Sequence, residues 1–179
     1  NIPQNRERIF IIAFNFCLTK EDINNYFNFN ETKCTKSFTE FLENEEPDEE
    51  RKEPCVLAQY YYTSESAIYS KLVKNVINPA VVYQYRRGIV RANKSCCVPT
   101  LVATMGTGGH NVPIIKTVKG IRKLTPRECF SLQGYPKNFQ LPKIANCHLY
   151  KQAGNSVTVP VCNMLAVEIT KILKAYDKL

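Results

Sequence analysis

From Ser66 to Arg127 the chain carries eleven Lys and Arg residues and neither Asp nor Glu. A solvated face normally mixes its signs. A long stretch of one sign, with Tyr83, Gln84 and Tyr85 interleaved, instead suits a polyanion such as nucleic acid. Within it, Arg86, Arg87, Arg91, Thr104, His110 and Asn111 have side chains that could read base edges. Arginine matches the paired acceptors of guanine, and asparagine matches adenine, in the major groove. The segment Met105–Pro113, MGTGGHNVP, is rich in glycine. It lacks the spacing of a P-loop or a dinucleotide fingerprint and precedes no clear helix. Either it is a flexible hairpin connection, or Gly106, Gly108 and Gly109 let bare backbone approach DNA closely. The acids lie elsewhere: seven fall between Glu43 and Glu53, against Arg51 and Lys52. That stretch contains Pro47 and reads as an exposed loop or a mobile linker that keeps away from phosphate.

Elements must hold these groups. Ile9–Phe14, IFIIAF, follows the charged cluster Arg6-Glu7-Arg8 and suits a strand buried on both faces. Ser37–Leu42 can open a short helix, and Gln59–Tyr62 reads as a strand. Ser64–Val76 repeats Ile68, Leu72 and Val76 at helical spacing. Val81–Arg87 and Ile89–Arg91 alternate about Gly88 as a strand pair or a bent strand. Pro99–Ala103 is a further short strand. Thr125 can cap a helix with Pro126 at its first position, Glu128 completing the capping box and Gly134 stopping it. Gly154-Asn155-Ser156-Val157 reads as a loop before a helix from Pro160 to Tyr176, whose stripe is Val161, Leu165, Ile169, Ile172, Leu173 and Tyr176.

Two blocks, LTPRECFSLQGYP from Leu124 and YKQAGNSVTVPV from Tyr150, resemble the ninth and tenth conserved motifs of DNA (cytosine-5) methyltransferases. The segment Ile2–Phe10, with Gln4, Arg6 and Arg8, resembles the eighth, and the three stand in the family's order. The resemblance implies a mixed α/β fold: an incomplete C-terminal piece of a Rossmann-like sheet plus a small, irregular, mainly-β target recognition domain. Residues 1–15 and 123–179 would belong to the catalytic domain, and 16–122 to the recognition domain. It also implies that Arg8 and Arg6 reach a cytosine flipped from double-stranded DNA, where a guanidinium donates to a carbonyl oxygen, with Gln4 orienting the loop. Asn155, Ser156 and Val157 would lie against S-adenosyl-L-methionine. Thr100-Leu101 and the glycine loop match the layout of the family's recognition domain.

The family's cysteine nucleophile, in a Pro-Cys-Gln motif, has no counterpart here: Pro54-Cys55 is followed by Val56. The expectation is therefore a C-terminal portion, inactive alone, whose partner is the N-terminal portion carrying Pro-Cys-Gln, in a bacterial restriction–modification system. A non-catalytic DNA-binding remnant or regulatory module is the alternative. The eight cysteines show no Cys-x-x-Cys pair, and His110 and His148 lie far apart, so no metal site is expected. No apolar run has membrane-spanning length and no leader is evident, so a cytoplasmic protein with reduced thiols is expected.

Overall fold

The computed structural model describes residues 2–27, 29, 34–44, 56–93, 95 and 97–176. Its helices are α1 (Lys20–Tyr26), α2 (Tyr69–Asn75), α3 (Pro126–Ser131), α4 (Asn146–Asn155) and α5 (Val159–Ala175). Short 3-10 turns occupy Phe38–Phe41, Val56–Tyr60 and Ala103–Thr107. The strands β1 (Tyr83–Arg86), β2 (Ile89–Ala92), β3 (Ile114–Thr117) and β4 (Gly120–Lys123) form one sheet in the order β2-β1-β3-β4. All its pairings are antiparallel, so the chain is mixed α/β around a small antiparallel sheet.

The β1–β2 hairpin turns through Arg87 (φ 52°) and Gly88 (φ 78°). Two successive positive φ angles are what a type I′ turn needs to match strand twist, and glycine takes one of them without strain. Because side chains alternate along a strand, adjacent isoleucines go to opposite sides. Ile114 joins Tyr83, Ile121 and the α2 residues Ile68, Leu72 and Val76 on one face. Ile115 joins the larger core on the other, with Leu101, Met105, Leu124, Phe130, Leu149 and Tyr150. The helical spacing of Ile68, Leu72 and Val76 thus does bury those residues.

α3 has the start its sequence describes. Thr125 Oγ1 accepts from Glu128 N, the Glu128 carboxylate accepts from Thr125 N, and Pro126 opens the helix. Glu128 is also fully buried against Arg122 of β4, with Nη1···Oε2 2.9 Å and Nη2···Oε1 2.8 Å. Two fully buried charges persist only when each satisfies the other and the remaining lone pairs are filled. Glu43 N, 3.0 Å from Glu128 Oε1, fills another.

Several expectations are corrected. Ile9–Phe14 forms no strand among the described residues. It is extended, with Phe10, Ile12 and Phe14 lining a groove shared with Ile23, Val161 and Met164. Ile9 and Ile11 are each 91% exposed, because no described strand runs beside them. Gln59–Tyr62 is the end of a 3-10 turn plus a single bridge from Tyr61 to Arg122. Pro99–Ala103 is no strand either: Val98 makes an isolated bridge to Gln4, and Ala103 already starts a 3-10 turn. Gly154 and Asn155 belong to α4 rather than to a loop. Glu43, expected in an exposed acidic loop, is half-buried and accepts from Thr125 Oγ1; residues 45–55 of that stretch lie outside the described residues. β3, β4 and α4 were not expected from the sequence. The short helix expected at Ser37–Leu42 is a 3-10 turn capped by Ser37 and Glu40.

Removing half of the buried pair should be costly. Glu128→Gln leaves Arg122 buried without its counter-charge and is expected to lower stability by about 3–5 kcal/mol in urea denaturation, whereas Arg122→Met with Glu128→Met should lose much less. Burial raises the Glu43 carboxyl above its ordinary range. The folded form therefore keeps that proton longer than the unfolded chain does. Its contribution is present below the ordinary carboxylate pKa and is lost as pH rises through the raised one. Glu43→Gln should flatten that part of the stability–pH profile.

Candidate functional site

The site is assembled by the first described residues. Val98 N donates to Pro3 O (2.6 Å) and Asn5 N to Val98 O (2.9 Å), laying residues 3–5 alongside Val98. Thr100 Oγ1 donates to Asn5 O at 2.6 Å. Gln4 Nε2 reaches Leu132 O at 3.1 Å, just beyond α3. Arg6 then spans two distant segments. Its Nη1 donates to Leu101 O at 2.6 Å, and its Nη2 donates to Gly154 O at 3.0 Å and Ser156 O at 2.6 Å. Burial, then the neighbouring charge of Arg8, lowers the Arg6 pKa. The N-terminal segment thus reaches both other blocks quoted from the sequence, the one from Leu124 through Gln4 and the one from Tyr150 through Arg6.

Arg8 has a different environment. It is exposed, and Nη1 donates only to its neighbour's carbonyl, Glu7 O, at 2.7 Å. The two arginines, given one role in the sequence reading, are separated here. Arg6 commits its terminal nitrogens to backbone carbonyls, while Arg8 keeps most of its donors for an outside acceptor.

Two glycines set the spacing between the glycine loop with its preceding segment and α4. A Cβ on Gly154 would lie 2.2 Å from the Val102 carbonyl carbon, and one on Gly106 would lie 2.1 Å from Cys147 O. Gly106, expected at the DNA, instead packs its bare backbone on α4. Leu101 is corrected likewise: its side chain is 0% exposed in the core and cannot touch a ligand. Asn155 is the exposed last residue of α4, and Val157 is 40% exposed. Ser156 Oγ lies 2.9 Å from Tyr135 Oη. Asn155 and Ser156 border a cavity of ≈530 Å³ walled by Phe130, Tyr135 and Phe139. An outward amide, a hydroxyl and an aromatic wall fit a small ligand with both polar and flat parts.

In the glycine loop, Gly108, Gly109 and His110 all have positive φ (83°, 72° and 59°). Asn111 Nδ2 donates to Gly108 O (2.7 Å) and Thr104 O (3.2 Å), so its amide donors close the loop rather than point outward. His110 sits between Tyr62 and Tyr85, each ring centroid 5.8 Å away. Arg86, Arg87 and Arg91 are exposed on the adjoining hairpin. Arg91 stands opposite Gln84 in register, so Arg86 and Arg91 share the face that Tyr85 does not. The candidate base readers are thus divided between the glycine loop on one face and the arginines on the other.

Sequence reasoning missed Gln133. Its buried side-chain amide donates to Ala153 O at 2.9 Å, and its backbone carbonyl accepts from Val159 N at 2.8 Å, fastening both ends of the turn between α4 and α5. A glutamine inside an otherwise apolar buried string was the available signal.

Residues 4–6, 98–101, 132–133 and 153–159 thus form one hydrogen-bonded knot in a mixed α/β chain. The family model described as C-5 cytosine-specific DNA methylase matches residues 1–171, and the chain belongs to that family. It is 47% identical over 175 residues to the type II methyltransferase M.Bsp6I of Bacillus sp. (strain RFL6), covering 96% of this chain and 51% of that protein. It is 32% identical over 173 residues to M.SsoII of Shigella sonnei, covering 96% and 42%. It is 30% identical over 174 residues to M.NlaX of Neisseria lactamica, covering 97% and 50%. The chain therefore spans about half the length of these curated relatives. No single helix among the described residues is long and apolar enough to cross a membrane.

The contrast between the two arginines can be measured in the purified chain. Arg6→Ala removes charged hydrogen bonds to three carbonyls and should cost about 2 kcal/mol or more in denaturant titration. Arg8→Ala should stay within about 0.5 kcal/mol of the parent.

Proposed function

We propose that this chain is the DNA-recognition and cofactor-loop portion of a DNA cytosine-5 methyltransferase of a type II restriction–modification system. Its reaction transfers a methyl group from S-adenosyl-L-methionine to C5 of a cytosine flipped out of double-stranded DNA. The observation that carries this reading is the knot around Arg6, which joins the eighth, ninth and tenth motifs to Thr100-Leu101.

Within it each residue has a distinct task. Arg8, exposed and always charged, donates to the carbonyl oxygen of the extruded base and stabilises negative charge as it builds on the ring. Arg6 and Gln4 hold the surrounding backbone. Asn155 and Ser156 bind the polar part of S-adenosyl-L-methionine, with Val157 as an apolar contact; that cofactor, when bound, supplies the methyl group. Thr104, Gly108, Gly109 and His110 meet DNA on the glycine-loop face, and the exposed Arg86, Arg87 and Arg91 reach it from the other side of the hairpin. Thr100, whose hydroxyl reaches Asn5 O, aligns the loop with the catalytic segment. Residues 16–122 act as the recognition domain; 1–15 and 123–179 act with the catalytic domain.

The cysteine nucleophile belongs to a companion polypeptide segment, the Pro-Cys-Gln-bearing N-terminal portion with the rest of a Rossmann-like sheet. Two features support such a companion. Ile9 and Ile11 are almost fully exposed on an extended segment. In α5 only Ile172 is buried, while Met164 and Val167 are 42% and 44% exposed. Surface of this kind is normally covered.

The test is labelled methyl transfer to target-containing DNA. The chain alone should give none. Supplied with the family's N-terminal portion, it should label cytosine at C5; failure to do so while DNA binding persists would leave a non-catalytic DNA-binding module. DNA affinity should fall with salt at a log–log slope of about −0.9 per phosphate contacted. In the reconstituted enzyme Arg8→Ala should lower kcat by about 10²–10³-fold, because its benefit arises mainly in the transition state. Asn155→Ala should chiefly raise KM for S-adenosyl-L-methionine, because its contacts precede the reaction.

A further inference from the structure

We infer that Arg6 is a positioning residue that couples DNA binding at the recognition loop to cofactor binding at residues 154–157, so that each ligand strengthens the binding of the other. This rests on the functional reading above. A single guanidinium donates to Leu101 O and to both Gly154 O and Ser156 O, positions 95, 148 and 150 residues away in sequence. Its atoms are coplanar, so the three carbonyls cannot shift independently without losing a bond. The Gly154 and Ser156 carbonyls flank Asn155, the residue assigned to the cofactor. The Leu101 carbonyl immediately precedes the 3-10 turn that carries Thr104.

A second contact makes the same connection. The Gly154 Cα faces the Val102–Ala103 peptide with no room for a methyl group. A displacement of residues 101–103 by DNA must therefore move the end of α4, and ordering the end of α4 must restrict residues 101–103. Thr100, donating to Asn5 O, ties the arginine's own segment to the same body. Both terminal nitrogens of Arg6 already donate to backbone carbonyls, which suits it to holding these segments. Both carbonyls at the α4 end lack helical partners, and a cation there also suits the helix dipole. A lysine keeps the charge but offers a flexible point donor, so Arg6→Lys should preserve each site while loosening the link between them.

The experiment is calorimetric binding of S-adenosylhomocysteine to the reconstituted enzyme, with and without a duplex containing the target sequence. The parent should bind the cofactor product about 5- to 150-fold more tightly with DNA present, and DNA more tightly by the same factor with cofactor product present. Arg6→Lys should bring that ratio close to one while each ligand still binds alone. An unchanged ratio in Arg6→Lys, or a parent ratio of one, would overturn the coupling and leave the methyltransferase reading intact. A parent complex that binds neither ligand would overturn both. Should Arg6→Lys not fold, amide hydrogen exchange on the parent decides. S-adenosylhomocysteine alone should slow exchange at Val102 and Ala103 as well as at 155–159, and slowing confined to 155–159 sinks the proposal.

Discussion

The ion pair between Arg122 and Glu128 is the constraint on which the other placements depend. Both side chains are fully buried. A pair in that setting gains its Coulomb energy only after a desolvation penalty of similar size, so it contributes little net stability over an apolar pair. What it does enforce is geometry. The Glu128 carboxylate meets the guanidinium of β4, the Thr125 amide at the start of α3, and the Glu43 amide beyond the Phe38–Phe41 turn. One carboxylate therefore sets the angle of α3 to the sheet and holds the approaching chain over it. Rotating α3 would strand two charges in an apolar interior.

That fixed helix delivers the site. Just past its end, Leu132 presents the carbonyl that Gln4 reaches, and Gln133 holds Ala153 O with its side-chain amide and Val159 N with its backbone carbonyl. The N-terminal segment and the α4–α5 turn are thereby brought to the same place, and Arg6 falls between them. The glycines complete the fit by subtraction. Without side chains at Gly106 and Gly154, α4 can lie against the Ala103–Thr107 turn at backbone distance. Arg6 and Arg8 then differ through surroundings alone: one is enclosed by carbonyls, the other by solvent.

What could be read from the sequence was local. The Thr125–Glu128 capping box, the turn at Gly88 and the stripe of Ile68, Leu72 and Val76 each involve residues a few positions apart, and each is present. The motif strings were legible as strings. Their meaning as a knot was not, because Arg6 meets its acceptors 95 to 150 residues away and no spacing rule encodes that. α4 escaped notice because Ala145 gives it no side-chain cap. β3 and β4 escaped because Ile114-Ile115 breaks simple alternation: the two faces of this sheet are both buried, one by α2 and one by the main core. Glu43 was misread by composition, since the acids after it suggested an exposed loop while Thr125 and Glu128 draw it inward.

The position of the turn at residues 155–157 follows from where burial stops. Ala153 and Gly154 are buried at the end of α4, Asn155 is exposed, and α5 beyond the turn buries only Ile172. Residues 155–157 therefore stand at the rim of the packed body, with a rigid wall of α4 and the aromatic side chains Phe130 and Tyr135 on one side. The uncovered flank of α5 and the exposed Ile9 and Ile11 lie on the part of the chain that its own core leaves open. A small ligand held at such a rim is half-enclosed by the chain that orients it. A second wall packed onto the open apolar flank would complete the enclosure. Holding the turn rigid through Arg6 and Gln133 is what would let two separately folded surfaces meet around one ligand without either having to rearrange, since preorganised groups lose little freedom on binding.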